Sequence, residues 1–241
     1  MHISDVVDGF DIDNIVPYFQ PILNLADHSV ISYECLARLV TSNDQMFLPS
    51  EFLTLVEKEQ CFGELAQHIF HLSAQYFHDI NMGWSINISE HDIQDQEFIN
   101  FLVNHLEGYP NPQRVTLEVV AATAIKHRQA FLKFVEICQS LKIKVFLDRF
   151  AATSSNYRQI LQLPIDGIKL DGALVKQFPT NQQAKDFAIH LLEQAKINHI
   201  QVIAEHIEDK ATLMAVKALN VNYGQGYYFS HPQAEAEELE G

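Results

Sequence analysis

The sequence predicts one α/β barrel of the TIM type, with eight strands and with the first strand antiparallel to the second. Short apolar, β-branched runs alternate with helical patterns along nearly the whole chain, which is typical of parallel strands joined by crossover helices. The 241 residues suit one such barrel. Only residues 24–29 separate the first two runs, too few for a crossover helix, so these runs should form a hairpin.

The candidate strands can be placed along the chain by their apolar and β-branched content. They are residues 16–22, 30–39, 84–88, 115–119, 144–147, 167–170, 201–204 and 224–229. Between them, apolar residues recur at steps of three and four, most clearly over 62–77, 131–141 and 184–195. These stripes are expected to be helix packing surfaces rather than cofactor sites.

Charge and composition exclude several partners. The chain carries 16 basic and 31 acidic residues, a formal net charge of -15, so a nucleic acid or an anionic membrane would be repelled. An anionic ligand would need local cations or metal ions. Cys35, Cys61 and Cys138 fall in no metal-ligand spacing, and the N-terminus lacks the pattern of a secretory signal. We therefore expect reduced thiols and a cytoplasmic location.

The chain divides into three parts. Residues 1–14 are expected to be an N-terminal segment, 15–232 the barrel domain, and 233–241 an acidic C-terminal tail that is frayed.

Polar residues gather where the candidate strands end. In TIM barrels the carboxyl ends of the strands build the active site, whereas a buried strand would ordinarily carry Val, Ile or Leu there. Convergence of carboxylates, an amide and a lysine suits a hard divalent cation. The alternative is that strand ends are solvated and therefore polar without any chemistry. The residues at or near these ends are Glu34, Arg38, Asn87, Glu118, Asp148, Lys169, Asp171, Glu205 and Gln225.

Residues 33–38, Tyr-Glu-Cys-Leu-Ala-Arg, resemble the Glu-Ala-Leu-x-Arg signature of the EAL domain, a bacterial phosphodiesterase family that linearises cyclic di-GMP. Other family motifs have counterparts in the same order, so that the resemblance covers residues 16–232. They lie at 19–22, 86–89, 117–118, 147–148, 163–171, 204–208 and 225–229.

The resemblance implies roles for individual residues. The metal set, for Mg²⁺ or Mn²⁺, would be Glu34, Asn87, Glu118 and Asp148. The catalytic residues would be Lys169, which holds the attacking water, Glu205 as the candidate base, and Glu208 in support. The dinucleotide would be held by Gln20, Leu36, Arg38, Asp171 and Gln225.

Three departures from the family pattern concern the second metal. Arg149 stands where the family has an aspartate ligand, residues 151–153 are Ala-Ala-Thr instead of Gly-Thr-Gly, and Ala121 replaces a glutamate that organises this loop. A guanidinium stays protonated and offers no oxygen ligand. Beside a dication it would cost about 4 kcal/mol per charge pair at ~4 Å and a dielectric of ~20. We therefore expect the second metal site to be lost and hydrolysis to be weak or absent.

The sequence leaves three functions open. The first is a degenerate EAL domain that binds cyclic di-GMP as a receptor, with Arg149 pairing with a phosphate, and that relays the signal through a protein partner or a homodimer. The alternative is an active, metal-dependent phosphodiesterase that converts cyclic di-GMP to linear pGpG. A third is a protein-interaction scaffold that binds no nucleotide.

His206 replaces a family glycine beside Glu205 and would narrow the pocket or join it.

Overall fold

The computed structural model describes residues 11–59, 61–151 and 157–236. Three of the sequence predictions fall partly outside these ranges. Residues 1–10 of the predicted N-terminal segment lie outside the described residues. The replacement of the family's Gly-Thr-Gly includes Ala152 and Thr153, and the acidic tail includes residues 237–241; these positions lie outside the described residues. Within the described ranges, no helix has the length and apolar content to cross a membrane.

Eight of the nine strands in the described residues close into a barrel, as the sequence predicts. The strands are β1 (Ile15–Asn24), β2 (Val30–Val40), β3 (Met46–Phe47), β4 (Gly83–Ile88), β5 (Val115–Val120), β6 (Lys144–Phe150), β7 (Gly167–Leu170), β8 (Gln201–Ala204) and β9 (Tyr223–Gly224). β1 pairs antiparallel with both β2 and β9, and the pairs from β2 through β4 to β9 are parallel. The short β3 pairs with β2 outside the ring. The antiparallel first strand is therefore confirmed.

Helices cover the outside of the barrel. They are α1 (Pro49–Lys58), α2 (Phe62–Tyr76), α3 (Gln96–Leu106), α4 (Ala121–Lys126), α5 (Arg128–Ser140), α6 (Tyr157–Ile160), α7 (Gly172–Val175), α8 (Gln182–Ile197) and α9 (Lys210–Ala218). Their apolar faces and the outward residues of the strands form one large buried core. Trp84, Phe70 and Phe134 are among the largest fully buried side chains of this core. The periodic stripes are thus packing surfaces.

Because successive side chains on a strand point to opposite faces, every second residue of a strand faces the inside of the barrel. Ile22, Phe146 and Ile203 form a separate apolar cluster. Two residues further toward the carboxyl ends of β6 and β8 come Asp148 and Glu205. The apolar cluster therefore lies one inward-facing position closer to the amino ends of β6 and β8 than the polar layer to which Asp148 and Glu205 belong.

The last strand is shorter than expected. The prediction of a strand over 224–229 is wrong beyond Gly224, where β9 ends. A Cβ at Gly226 would lie 2.3 Å from the Ile207 nitrogen, so only glycine permits this close backbone approach. The chain then turns, and the Phe229 N–H donates to the Gly226 carbonyl at 3.0 Å. The turn carries Tyr227 toward the barrel mouth.

The beginning of the acidic tail is attached to the barrel rather than frayed. The backbone of Gln233 exchanges two hydrogen bonds with Phe19 of β1, at 2.7 and 2.9 Å. The Ala236 N–H donates to the Tyr76 hydroxyl at 2.9 Å. Residues 233–236 are therefore bound to β1 and to the end of α2.

Arg114 ties together the chain before β4 and the turn before β5. Its Nη1 donates to the carbonyls of Ile80 and Met82, the latter at 3.1 Å, and its Nη2 donates to Pro110 at 3.0 Å. Nη1 also reaches the Phe77 carbonyl at 3.3 Å. One guanidinium thus satisfies several loop carbonyls that have no strand partner.

Candidate functional site

A buried lysine lies at the centre of the polar layer. The Lys169 side chain is fully buried, and its Nζ lies 2.6 Å from Glu34 Oε2, 2.9 Å from Glu118 Oε2 and 2.9 Å from Glu205 Oε1. The four residues come from β7, β2, β5 and the end of β8. Parallel strands with their carboxyl ends together place these distant residues side by side. The lysine is the internal counter-ion of three carboxylates.

Amides complete the environment of Glu34. The Asn87 Nδ2 donates to Glu34 Oε1 at 2.7 Å, and the Gln225 Nε2 donates to Glu34 Oε2 at 2.8 Å. Gln225 Nε2 also donates to Gln20 Oε1 at 3.0 Å, and Gln20 Nε2 donates to the Ser230 carbonyl at 3.1 Å. Glu34 is therefore held in one orientation by three partners, Asn87, Gln225 and Lys169. The Gln225 Oε1 atom is buried and lacks a hydrogen-bond partner.

The three carboxylates around Lys169 have different pKa values, because they are buried close together and share one counter-ion. Burial raises the pKa of Glu118 to about 7, and the Glu34 charge adds to the rise while Lys169 opposes it. Burial likewise raises the pKa of Glu205 to about 8 against the attraction of Lys169. Burial would raise the pKa of Glu34 too, but the Lys169 charge and the hydrogen bonds from Lys169 and Gln225 outweigh it and lower that pKa. One ammonium does not fully neutralise three carboxylates, so Glu118 and Glu205 bind a proton more tightly than an exposed glutamate does.

Asp148 and Arg149 form a local unit at the end of β6. The Arg149 N–H donates to Asp148 Oδ1 at 2.6 Å, and the guanidinium Nε lies 3.6 Å from Asp148 Oδ2. Arg149 has a φ of 54°, in the left-handed region that residues with a Cβ rarely adopt. Its side chain is 71% exposed, whereas that of Asp148 is 10% exposed. The arginine therefore covers both oxygens of a predicted metal ligand from the open side.

The donor set fits a divalent cation in its chemistry. Carboxylates and the Asn87 amide offer the oxygen ligands that Mg²⁺ and Mn²⁺ prefer. Across the described ranges, however, no three acidic, histidine or cysteine residues already form a ligand group. Lys169 lies between the carboxylates instead. A cation bound here would have to share these carboxylates with the lysine.

A cavity of ≈ 710 Å³ reaches this cluster. All the residues that were assigned to holding the dinucleotide line this one space: Gln20, Leu36, Arg38, Asp171, Gln225 and Arg149. Arg38 is 6% exposed and its Nη1 donates to the Ala37 carbonyl at 2.8 Å. The Asp171 Oδ1 accepts from the Ala173 N–H at 2.8 Å and so caps α7. The structure thus brings the predicted binding residues together.

Glu208 is the predicted catalytic residue that lies outside the lysine cluster. It lines the cavity, but its carboxylate pairs with Lys176 at 2.9 Å, and both side chains are about half exposed. The remaining predicted residues, Glu34, Asn87, Asp148 and Glu205, line the cavity as well. Glu118 and Lys169 are buried beneath it.

Two cavity residues were missed as site candidates, and one was noted without a role. Tyr227 and Asp92 line the cavity. Asp92 is 2% exposed, burial raises its pKa, and its Oδ1 has no hydrogen-bond partner. His206 also lines the cavity and, like Arg149, has a left-handed φ of 54°. An aspartate in a short 3-10 helix gives no sequence signal of burial, whereas His206 was detectable because it interrupts a motif.

Comparison with known proteins gives a consistent result. The EAL domain family profile matches residues 4–232. "Cyclic di-GMP phosphodiesterase PdeB" of Shewanella oneidensis is 24% identical over 246 residues, which is 98% of this chain and 28% of that protein. The chain therefore spans well under half the length of this relative.

Solved structures show the same fold. The FimX EAL domain from Pseudomonas aeruginosa bound to c-di-GMP superposes with a TM-score of 0.86 at 19% identity, covering 98% of this chain and 96% of that one. An EAL domain protein from Listeria monocytogenes EGD-e superposes with a TM-score of 0.87 at 21% identity, covering 97% and 94%. At this identity the likeness concerns the fold alone.

Proposed function

The chain belongs to the EAL domain family, and from this premise we propose that it binds cyclic di-GMP and hydrolyses it weakly or not at all. The family resemblance drawn from the motifs is confirmed. Relatives are named cyclic di-GMP phosphodiesterases, and the FimX neighbour carries c-di-GMP. The ligand is a dianion, and the predicted binding residues, two arginines among them, line one cavity in a chain of net charge -15.

The observation that carries the proposal is the position of Arg149. Its guanidinium lies 3.6 Å from Asp148 Oδ2, at the open side of the carboxylate cluster. A fixed cation there competes with a metal ion for Asp148 and supplies no ligand of its own. The same charge would attract a phosphate, because a guanidinium binds phosphate oxygens as a fork. Arg149 therefore favours binding over hydrolysis.

EAL phosphodiesterases generally depend on divalent metal ions. In our proposal, Glu34, Asn87, Glu118 and Asp148 would hold one Mg²⁺ or Mn²⁺, and the second metal position is lost at Arg149. A bound ion would supply charge neutralisation at the phosphodiester. Lys169 and Glu205 would then orient a water near the phosphate, with Glu208 at the cavity edge.

The second candidate is an active phosphodiesterase, and one observation favours it. Glu34, Glu118, Lys169 and Glu205 form a single hydrogen-bonded cluster, with Asn87 bound to Glu34. A protein that only bound the ligand would not need so many buried charged groups, which are costly to maintain. This candidate predicts turnover without any change at Arg149.

Two measurements on the same protein separate these functions. Calorimetry with cyclic di-GMP in Ca²⁺ and in chelator should detect binding, and chromatography in Mg²⁺ and in Mn²⁺ should detect little or no linear pGpG. Turnover equal to that of an intact EAL phosphodiesterase would overturn the impaired-enzyme proposal. If cyclic di-GMP does not bind, the protein-interaction scaffold would be the remaining function.

Two variants sharpen the result. Arg149→Asp should raise turnover if the guanidinium blocks the metal, since it restores a carboxylate at that position. Arg38→Lys keeps the charge of the buried arginine but loses its planar fork, so it should weaken binding without removing a cation.

We further propose a cytoplasmic location, because Cys35, Cys61 and Cys138 are all free thiols. A protein partner or a homodimer would relay the signal.

A further inference from the structure

We propose that His206 contacts a base of the bound dinucleotide and that Gly172 is the residue that holds the His206 ring in place. The inference rests on the proposed function, because it concerns the same cavity. Both residues line that cavity. Neither belongs to the carboxylate cluster or to the residues assigned above to holding the ligand.

The backbone sets the position of His206. Its φ of 54° is left-handed, a conformation in which glycine is favoured over residues with a Cβ. The residue follows Glu205, whose carboxylate is bound to Lys169 at 2.9 Å. The strained residue is therefore anchored from one side by the buried cluster, and its exposed side chain stands at the cavity mouth. Strain of this kind persists where the surrounding structure imposes it, often at ligand sites.

Gly172 provides the space for the ring. A Cβ at this position would lie 2.5 Å from both Cγ and Nδ1 of His206 and 2.7 Å from its Cβ. These three His206 atoms are the nearest neighbours of that hypothetical Cβ. Gly172 begins α7 and is buried, and the N-terminal cap from Asp171 fixes the start of this helix. Any side chain at residue 172 would displace the imidazole.

The surroundings indicate which part of the ligand His206 meets. Asp171, Glu205 and Glu208 line the cavity with it; Glu205 is paired with Lys169 and Glu208 with Lys176, both at 2.9 Å. The carboxylates of Asp171 and Glu208 disfavour a phosphate at this end of the cavity, because like charges repel. The N–H groups of a guanine edge are donors for them, and an imidazole offers a planar face on which a base can stack. The geometry therefore suits a base at this end of the cavity.

The experiment is a double-mutant cycle on cyclic di-GMP affinity, measured by calorimetry in Ca²⁺. His206→Gly should weaken binding about three- to tenfold, the effect of one aromatic contact. Its thermal midpoint should not fall, because glycine relieves the left-handed φ. Gly172→Ala should weaken binding similarly by displacing the ring. The double variant should bind like His206→Gly alone, because the added methyl then has no ring to displace. His206→Phe, which keeps a planar face, should bind like the wild type.

The outcomes distinguish this inference from the proposed function. If the wild type does not bind cyclic di-GMP, the proposed function fails and this inference fails with it. If the wild type binds and His206→Gly binds equally well, the inference alone is overturned. If the effects of Gly172→Ala and His206→Gly add in the double variant, His206 still contacts the ligand but Gly172 does not position it.

Discussion

The ammonium of Lys169 and the carboxylate of Glu34 lie 2.6 Å apart, although 135 positions separate them in the sequence. Lys169 is fully buried and pairs with three of the buried carboxylates of the barrel, those of Glu34, Glu118 and Glu205. Removing it would leave Glu34, Glu118 and Glu205 without their counter-ion. The interior of the barrel therefore depends on this residue for stability as well as for any chemistry.

Lys169→Met should lower the free energy of unfolding by about 3–5 kcal/mol, because it leaves buried charges uncompensated. The loss should shrink as the pH is lowered toward 5, where the carboxylates protonate. Denaturant unfolding at two pH values measures both effects. Lys176→Met is the matched control: its pair with Glu208 is about half exposed, so the change should stay below about 1 kcal/mol. Equal effects of the two variants would contradict the role of Lys169.

The metal-free protein should lose stability as the pH rises from about 5 to about 8. The folded-state pKa values of Glu118 and Glu205 are raised to about 7 and about 8. Groups with raised pKa values stabilise the fold fully below their unfolded pKa of 4.5 and lose this contribution as the pH passes the folded value. The slope should approach about 1.4 kcal/mol per pH unit for each retained proton.

Thermal unfolding in chelator across this pH range is the measurement. Glu205→Gln should flatten the profile, because glutamine does not titrate. If the stability of the wild type stays constant or rises with pH, the pKa values of Glu118 and Glu205 are not raised in the folded protein, and the prediction is wrong.

Arg149→Gly should separate the backbone of this residue from its charge. Glycine relieves the left-handed φ of 54°, so the free energy of unfolding should rise by about 1 kcal/mol. Loss of the guanidinium should weaken cyclic di-GMP binding about tenfold or more, as for a charge-assisted hydrogen bond. Arg149→Ala, the control, should show the same loss of affinity without the gain in stability. Unchanged affinity in both variants would exclude a contact between Arg149 and a phosphate.

Arg114→Ala should destabilise the fold by about 3 kcal/mol, because several loop carbonyls lose their donor. Arg114→Lys should recover only part of this loss. A single ammonium cannot replace the two guanidinium nitrogens, which donate to carbonyls in two different loops. Arg128→Ala, at an exposed arginine, is the matched control and should change stability by less than about 0.5 kcal/mol. Urea denaturation compares the three variants, and a small effect at Arg114 would mean that water replaces its hydrogen bonds.

Much of the fold could be predicted because its signals are local. Apolar runs and helical periods repeat every few residues, so seven of the predicted strands coincide with strands of the barrel. The hairpin of β1 and β2 followed from the short connection alone. The last strand was overextended, because the close approach of Gly226 to Ile207 is a contact between distant segments. The attachment of Gln233 to Phe19 has the same cause.

The candidate site divides in a similar way. The sequence itself gives the residues at the strand ends, because chain order and strand period determine them. The resemblance to the EAL motifs, which is also read from the sequence, implies that Arg149 replaces a carboxylate. Only the tertiary structure decided that Lys169 binds three carboxylates, that Glu208 pairs with Lys176 instead, and that His206 rests on Gly172. The physical reason is that barrel closure and shear set which side chains meet across the interior, and neither is encoded in any local stretch of residues.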